Sequence, residues 1–359
     1  MIEPRLKEIL ETLVQTHSLE QKQYQYILDH RNSEVASWIQ EKAVEVRKEI
    51  YGNEVYGRGL IEISNICKND CLYCGIRATN SNVKRYHLNE EEILDCIKQG
   101  VNLGFQTMVL QGGEDGYYSD TFLVSLLQKI RNQYPDIAIT LSLGQRSKES
   151  YQKLYDAGAN RYLLRHETAD PIHYQQLHPS KMSFDKRMEC LKDLKEIGFQ
   201  VGVGMMVGSP FQTSSHLAKD LKFIETFKPD MCGIGPFVSH HDTPFASFPS
   251  GNVELTCFLL SLIRLIYPPV LLPSTTALGT IDSSGREKGI LAGANVVMPN
   301  LSPKQVRAQY ALYDGKIHSG LEAGQNWKEL QERMETIGYK LVHKRGDVRK
   351  ERYTREELK

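Results

Sequence analysis

Three cysteines fall close together in this 359-residue chain: Cys67, Cys71 and Cys74, within Ser64-Asn65-Ile66-Cys67-Lys68-Asn69-Asp70-Cys71-Leu72-Tyr73-Cys74-Gly75. The spacing is C-x3-C-x2-C. Three neighbouring thiolates can hold three irons of a [4Fe–4S] cube. The fourth iron then has no protein ligand, and a small molecule can take its open site. The same trio could also begin a zinc site, but structural zinc is closed by four protein ligands. The fourth would have to come from a distant Cys or His. The remaining cysteines, Cys96, Cys190, Cys232 and Cys257, stand alone in apolar patterns and read as small buried hydrophobes. With seven cysteines, an odd number, and no export signal at Met1-Ile2-Glu3-Pro4, the cytoplasm is the expected compartment.

The elements that must position these thiols follow from apolar periodicity. Leu6, Ile9, Leu10 and Leu13 recur at helical spacing, and a second helix is expected from Asn32 to Ile50 with Ser33 as its N-cap. From Tyr56 onward, short apolar runs alternate with amphipathic stretches. Strands are expected at 60–63, 107–110, 137–141, 161–164, 201–207, 231–234, 270–272 and 294–298, with helices between them. The fold class is therefore α/β, and about eight βα units in some 250 residues point to a (βα)8 TIM barrel. An open doubly wound sheet is the alternative. The expected organisation is a helical cap over 1–50, the barrel over 51–318 and a charged helical tail over 319–359. The end of the tail, from Lys344, reads as solvated or frayed. The thiol segment directly follows the first barrel strand.

Composition excludes several function classes. Lys plus Arg and Asp plus Glu are both 44, so net charge is zero, and no basic excess suggests a nucleic-acid partner. Mean hydropathy is −0.41 and no apolar run approaches 18 residues, so no membrane partner is expected. No G-x-G-x-x-G, P-loop or H-E-x-x-H occurs. His240-His241-Asp242 reads as a strand-end turn before a metal site. His166 reads as a packed histidine. His87, His173 and His178 read as solvated.

C-x3-C-x-aromatic-C after the first strand of a βα barrel resembles the radical S-adenosylmethionine (SAM) superfamily. Val109-Leu110-Gln111-Gly112-Gly113-Glu114-Asp115 resembles its glycine-glycine-glutamate element. Within the superfamily, Arg161-Tyr162-Leu163-Leu164-Arg165-His166-Glu167-Thr168 is similar to the [FeFe]-hydrogenase maturase branch. So are Gly233-Ile234-Gly235-Pro236-Phe237, Thr275-Thr276-Ala277-Leu278-Gly279-Thr280 and Gly293-Ala294-Asn295-Val296-Val297-Met298-Pro299-Asn300. The resemblance covers roughly residues 30–318.

This resemblance implies that Cys67, Cys71 and Cys74 hold one [4Fe–4S] cluster whose open iron chelates SAM. Reductive cleavage then yields a 5′-deoxyadenosyl radical. It implies that Tyr73 lies beside the adenine, that Gly113 and Glu114 meet the methionyl ammonium, and that Glu167 and Arg187 contact SAM. Ser142 and Met206 would sit on strands reaching the cofactor. Arg165, Met231 and Tyr310 would be catalytic residues in a substrate cavity that Thr140, Thr275 and Thr276 also line, with Arg58 nearby. An arginine among threonine hydroxyls suits a carboxylate-bearing ligand. Cys232 is expected to face that cavity.

The implied substrate is an organometallic iron–cysteine complex with carbonyl and cyanide ligands, supplied by a sister maturase. The implied electron donor is ferredoxin- or flavodoxin-like. No cysteine follows Cys257 and His318 stands about where a second cluster would begin, so no second cluster is expected. Phe211 interrupts the branch's usual Pro-Gly. A methylornithine-synthase-like mutase on an amino acid is the close alternative, and a non-enzymatic carrier of a metal–carbonyl precursor is another. Biotin synthase, with its further cysteines, fits less well.

Overall fold

The computed structural model describes residues 2–317 and 323–351. Three helices lead in: α1 (Pro4–Thr16), α2 (Gln21–Asp29) and α3 (Ser33–Tyr51). Asn32, not Ser33, caps α3: its side chain accepts the Val35 N–H at 3.0 Å. One position earlier, the cap satisfies a free amide of the first turn.

The strands are β1 (Glu54–Gly57), β2 (Gly59–Ser64), β3 (Thr107–Gly112), β4 (Ala138–Ser142), β5 (Arg161–Leu163), β6 (Gln200–Val203), β7 (Met206–Val207), β8 (Met231–Cys232), β9 (Gly235–Pro236), β10 (Val296–Val297) and β11 (Lys340–Val342). A parallel sheet runs β2-β3-β4-β5-β6-β8. Beyond it, Cys232 N–H donates to the Leu271 carbonyl at 3.0 Å and Val296 N–H to Leu272 at 3.1 Å. β10 pairs with β1 in parallel, and Leu60 bridges to Asn300. The parallel strands thus run full circle as a (βα)8 barrel. β2 is buried throughout, as expected of strands covered on both faces. Helix Val253–Ile266 is apolar almost all round because it lies between barrel and α3.

The C-terminal region departs from the helical expectation. Ala323–Thr336 is a helix, but Lys340–Val342 is a strand paired in parallel with β1. The following segment, to Lys350, is half-buried between its exposed ends Lys344 and Lys350, in place of the solvated or frayed helix expected there. Asp347 reaches the foot of the barrel and accepts from Arg161 Nη2 at 2.7 Å and Gln200 Nε2 at 3.0 Å. Arg161 is completely buried there. A guanidinium inside the ring requires a carboxylate and carbonyl acceptors, and the chain end supplies them. Residues 352–359 and His318 lie outside the described residues. Among the described residues, no helix is long and apolar enough to cross a membrane.

Candidate active site

The segment from Asn65 leaves β2 and carries the three thiols across the C-terminal end of the ring, where barrels place their chemistry. Several bonds fix it. Leu72 N–H donates to the Leu177 carbonyl at 3.0 Å and Gly75 N–H to Leu312 at 2.8 Å. Asp70 is clamped by Arg77 Nε at 2.7 Å and Thr79 Oγ1 at 2.8 Å, which holds its carboxyl down at about 2. The three cysteines form no disulfide. Burial raises all three thiols, Cys74 to about 12, and their mutual repulsion adds to this at Cys71 and Cys74. Such thiols become thiolates readily only beside a cation, which a bound iron cluster supplies.

Tyr73 is locked by His178. Nδ1–H of His178 donates to the Tyr174 carbonyl at 2.8 Å, so Nε2 is left to accept the Tyr73 hydroxyl at 3.2 Å. Burial holds His178 at about 3, so the ring is neutral. His173 is buried as well, against the Pro210 carbonyl. Both histidines therefore depart from the solvated reading: His178 lies against Tyr73 of the thiol loop, and His173 against the Pro210 turn and the His216 ring. His87 does remain exposed.

After β3, Gly113 presses against the thiol loop. A Cβ there would lie 2.2 Å from the Ile66 carbonyl oxygen and 2.8 Å from Cys67 Cβ. Glu114 N–H points at Cys67 Sγ, 3.4 Å away. The Glu114 carboxylate is turned to Gln145 N–H at 2.9 Å and Lys68 Nζ at 3.1 Å. Gln145, its carbonyl oxygen facing Arg187, takes that guanidinium's Nε–H at 2.9 Å. Arg187 Nη1 donates to the Arg165 carbonyl at 2.7 Å. One chain of polar contacts thus links the ends of β3, β4 and β5.

Glu167 is different. It is buried, its φ is +65°, and its Oε2 has no hydrogen bond, although Arg165 Nη2 stands 3.3 Å away. A buried carboxylate oxygen aimed at a hollow needs a donor. Arg165 Nε, Thr140 Oγ1 and Thr275 Oγ1 are likewise buried without a hydrogen bond, and Arg165 Nη2 has only its ion-pair contact with Glu167. These orphaned groups fit polar ligands, and the three thiols fit a cluster.

The three thiols, Tyr73, Gly113, Glu114, Arg187, Glu167, Arg165, Thr140 and Thr275 line one cavity of about 400 Å³ inside the ring. Ser142, Met206, Thr276, Met231 and Tyr310 line it too. Arg58 lies at its floor, where Nη1 meets Met231 Sδ at 2.9 Å and Nη2 reaches the Gly346 carbonyl. Arg161 is not at the cavity: it belongs to the floor beneath. Cys232 points outward into the apolar core, correcting the expectation that it faces the hollow. Its neighbour Met231 takes the inward position because side chains alternate along a strand. His166 is packed between Gly204 N–H and Asp220.

The sequence reading missed Glu62. It is buried on β2, accepts from Asn300 Nδ2 at 2.8 Å and pairs with Lys316, and all three line the cavity. The signal was one acid inside the run Leu60-Ile61-Glu62-Ile63. Its partner could not be read, since 254 residues separate the two. His240, His241 and Asp314 do gather within 4.8 Å. However, His240 Nδ1 accepts the Asp242 N–H, which leaves the proton on Nε2, and His241 bridges the Asp314 and Asp242 carboxylates. The trio ties the 310–317 segment to the loop after β9.

A parallel barrel whose first strand feeds a three-thiol loop, with a glycine-acid turn beside it, defines a class. The Radical SAM superfamily model matches residues 61–224. The chain belongs to the radical SAM superfamily. It is 46% identical over 275 residues to the [FeFe] hydrogenase maturase subunit HydE of Thermotoga maritima, covering 77% of this chain and 78% of that one. The crystal structure of methylornithine synthase superposes with a TM-score of 0.82 at 26% identity, over 93% of this chain and 97% of the other. HydG, a maturase of the [FeFe]-hydrogenase, shares the fold at TM-score 0.78 and 20% identity, over 94% of this chain and 76% of that one. The protein is an enzyme of this superfamily, with a [4Fe–4S] cluster and SAM as its cofactors.

Proposed function

We propose that this enzyme works in [FeFe]-hydrogenase maturation, on an iron–cysteine complex bearing carbonyl and cyanide ligands that a sister maturase supplies. The observation that carries the reading is the continuous cavity between the thiol loop and Arg165, Thr140 and Thr275, whose buried Nε and hydroxyl groups have no hydrogen bond. The 46% identity to HydE supports it. A second cluster has no place in it.

Cys67, Cys71 and Cys74 hold the cluster, and Glu167 and Arg187 hold SAM. When bound, the two together supply a carbon-centred radical by one-electron cleavage. The chain's own residues do the rest. Gly113 lets the backbone approach without a Cβ. Tyr73, fixed by His178, walls the adenine side. Arg165 takes the substrate carboxylate on its guanidinium fork, and the threonine hydroxyls complete the anion site. Thr276, Met231 and Tyr310 shape the remainder around the reacting sulfur. Arg58 and the Asp347 plug seal the floor from water.

The test uses anaerobic cluster-loaded enzyme, a chemical reductant and SAM, with and without an iron(II)–cysteine dicarbonyl cyanide complex. The wild type should form 5′-deoxyadenosine and consume the complex. Arg165→Gln should still cleave SAM but lose at least tenfold in complex consumption. The methylornithine-synthase fold match favours a second reading, a mutase acting on an amino acid. Appearance of 3-methylornithine, with the iron complex untouched, would replace the first reading with that one. No deoxyadenosine above background would leave only a carrier.

A further inference from the structure

Helix Ser214–Phe227 belongs to the outer layer of the barrel, yet one of its buried positions carries an acid. Asp220 stands there with Leu217, Leu221 and Ile224 and is completely buried. A carboxylate in an apolar row needs donors. It finds them on the segment that follows β5. Its Oδ1 accepts the Ala169 N–H at 2.5 Å and faces His166 Nε2 at 3.3 Å. His166 Nδ1 accepts the Gly204 N–H at 3.3 Å, so the ring proton sits on Nε2 and is donated to Asp220. The neighbouring Lys219 pairs with Asp170. The helix thus grips residues 166, 169 and 170 from outside the ring.

Glu167 lies inside that span. Its φ of +65° favours glycine, and a glutamate is strained there. Its N–H donates to the Gly204 carbonyl at 3.0 Å, so the two polar groups of Gly204 serve residues 166 and 167. Gly204 has no room for a side chain: a Cβ would lie 2.1 Å from the Gly233 carbonyl oxygen. The strained residue is therefore fixed from both sides, by the backbone of residue 204 and by the Asp220 carboxylate. Strain of this kind persists only where the surroundings over-determine it. Glycine at 167 would relieve it but would also remove from the cavity a buried carboxylate whose Oε2 has no hydrogen bond.

We infer that Asp220 is a positioning residue for SAM: through His166 and the Ala169 amide it holds the Glu167 carboxylate in the orientation that meets the cofactor. Neither Asp220 nor His166 lines the cavity. The role rests on the reading that Glu167 holds SAM. The two bonds to Asp220 fix the chain on either side of residue 167. Their loss lets the strained peptide relax and turns the carboxylate out of place. Asp220 Oδ1 makes both bonds, whereas Oδ2 makes none. Asparagine at this position can therefore do the same work, and alanine cannot.

The experiment uses anaerobic cluster-loaded enzyme. SAM binding is read by isothermal titration, and KM and kcat by deoxyadenosine formation with dithionite. Asp220→Ala should keep the wild-type iron content, raise Kd and KM for SAM at least fivefold and change kcat less than about twofold. Asp220→Asn should bring Kd and KM back to within about twofold of the wild type. His166→Phe keeps a ring against Phe223 but loses both hydrogen bonds, and should match Asp220→Ala. Glu167→Gln should weaken SAM binding by itself, and adding Asp220→Ala to it should weaken binding no further. Wild-type SAM affinity in Asp220→Ala and His166→Phe, or full additivity with Glu167→Gln, overturns the positioning role and leaves Glu167 at the cofactor. Loss of the cluster from both variants makes the pair a part of the barrel core and overturns the role as well. Wild-type affinity in Glu167→Gln removes the reading of Glu167, and the inference with it.

Discussion

At the scale of single residues, the site depends on groups that permit close approach as much as on those that react. Gly144 has φ +75°, and a Cβ there would stand 2.1 Å from Glu114 Cγ. Gly144→Ala should cost about 1–3 kcal/mol through strain and displacement of Glu114, read from denaturant midpoints. It should weaken SAM binding in isothermal titration. Cys71→Ala should abolish the cluster's visible absorption and all SAM cleavage; ordinary cleavage by that variant would refute the ligand assignment. His178 gives a pH signature. Its ordinary value is 6.5 and burial lowers it to about 3. The unfolded chain therefore binds one more proton between those values. This contribution to stability is present above pH 6.5 and is lost as pH falls toward 3, at up to about 1.4 kcal/mol per pH unit. His178→Asn keeps an acceptor for Tyr73 and a donor for Tyr174, so its stability should fall less steeply from pH 7 to pH 4. The thiols were legible because their ligand chemistry is local in sequence. His178 was not: a histidine in a polar stretch shows nothing of the helix that buries it.

At the scale of elements, strands and helices were legible where periodicity is set by burial on one side or both. Strand β3 is one of these. What escaped was pairing between distant ends. β11 reads as part of a charged tail because only Leu341 and Val342 are buried, one on each face, and the partner strand β1 lies far away in sequence. The Arg161–Asp347 bond was hidden for the same reason. Asp347 is 40% exposed while Arg161 is fully buried. Asp347→Ala should therefore destabilise by about 1–3 kcal/mol, below the range for a fully buried pair. Urea midpoints of the cluster-loaded variant check this. An unchanged midpoint would mean that the Arg345 and Gly346 carbonyls suffice to hold Arg161.

At the scale of the whole molecule, one ring of parallel strands brings together groups from residue 58 to residue 326. The barrel order was legible from eight alternating units, and the cavity's place at the strand ends followed from it. The roof over that cavity was not, since Lys316 and Glu62 meet only once the ring has formed. The central claim is that three thiols and an open iron bind SAM. The most direct measurement is electron paramagnetic resonance of the reduced, anaerobically reconstituted enzyme with and without SAM, together with an iron count. The account predicts about four irons per chain and a spectrum that shifts when SAM is added. Zinc in place of iron, or a spectrum indifferent to SAM, would contradict it.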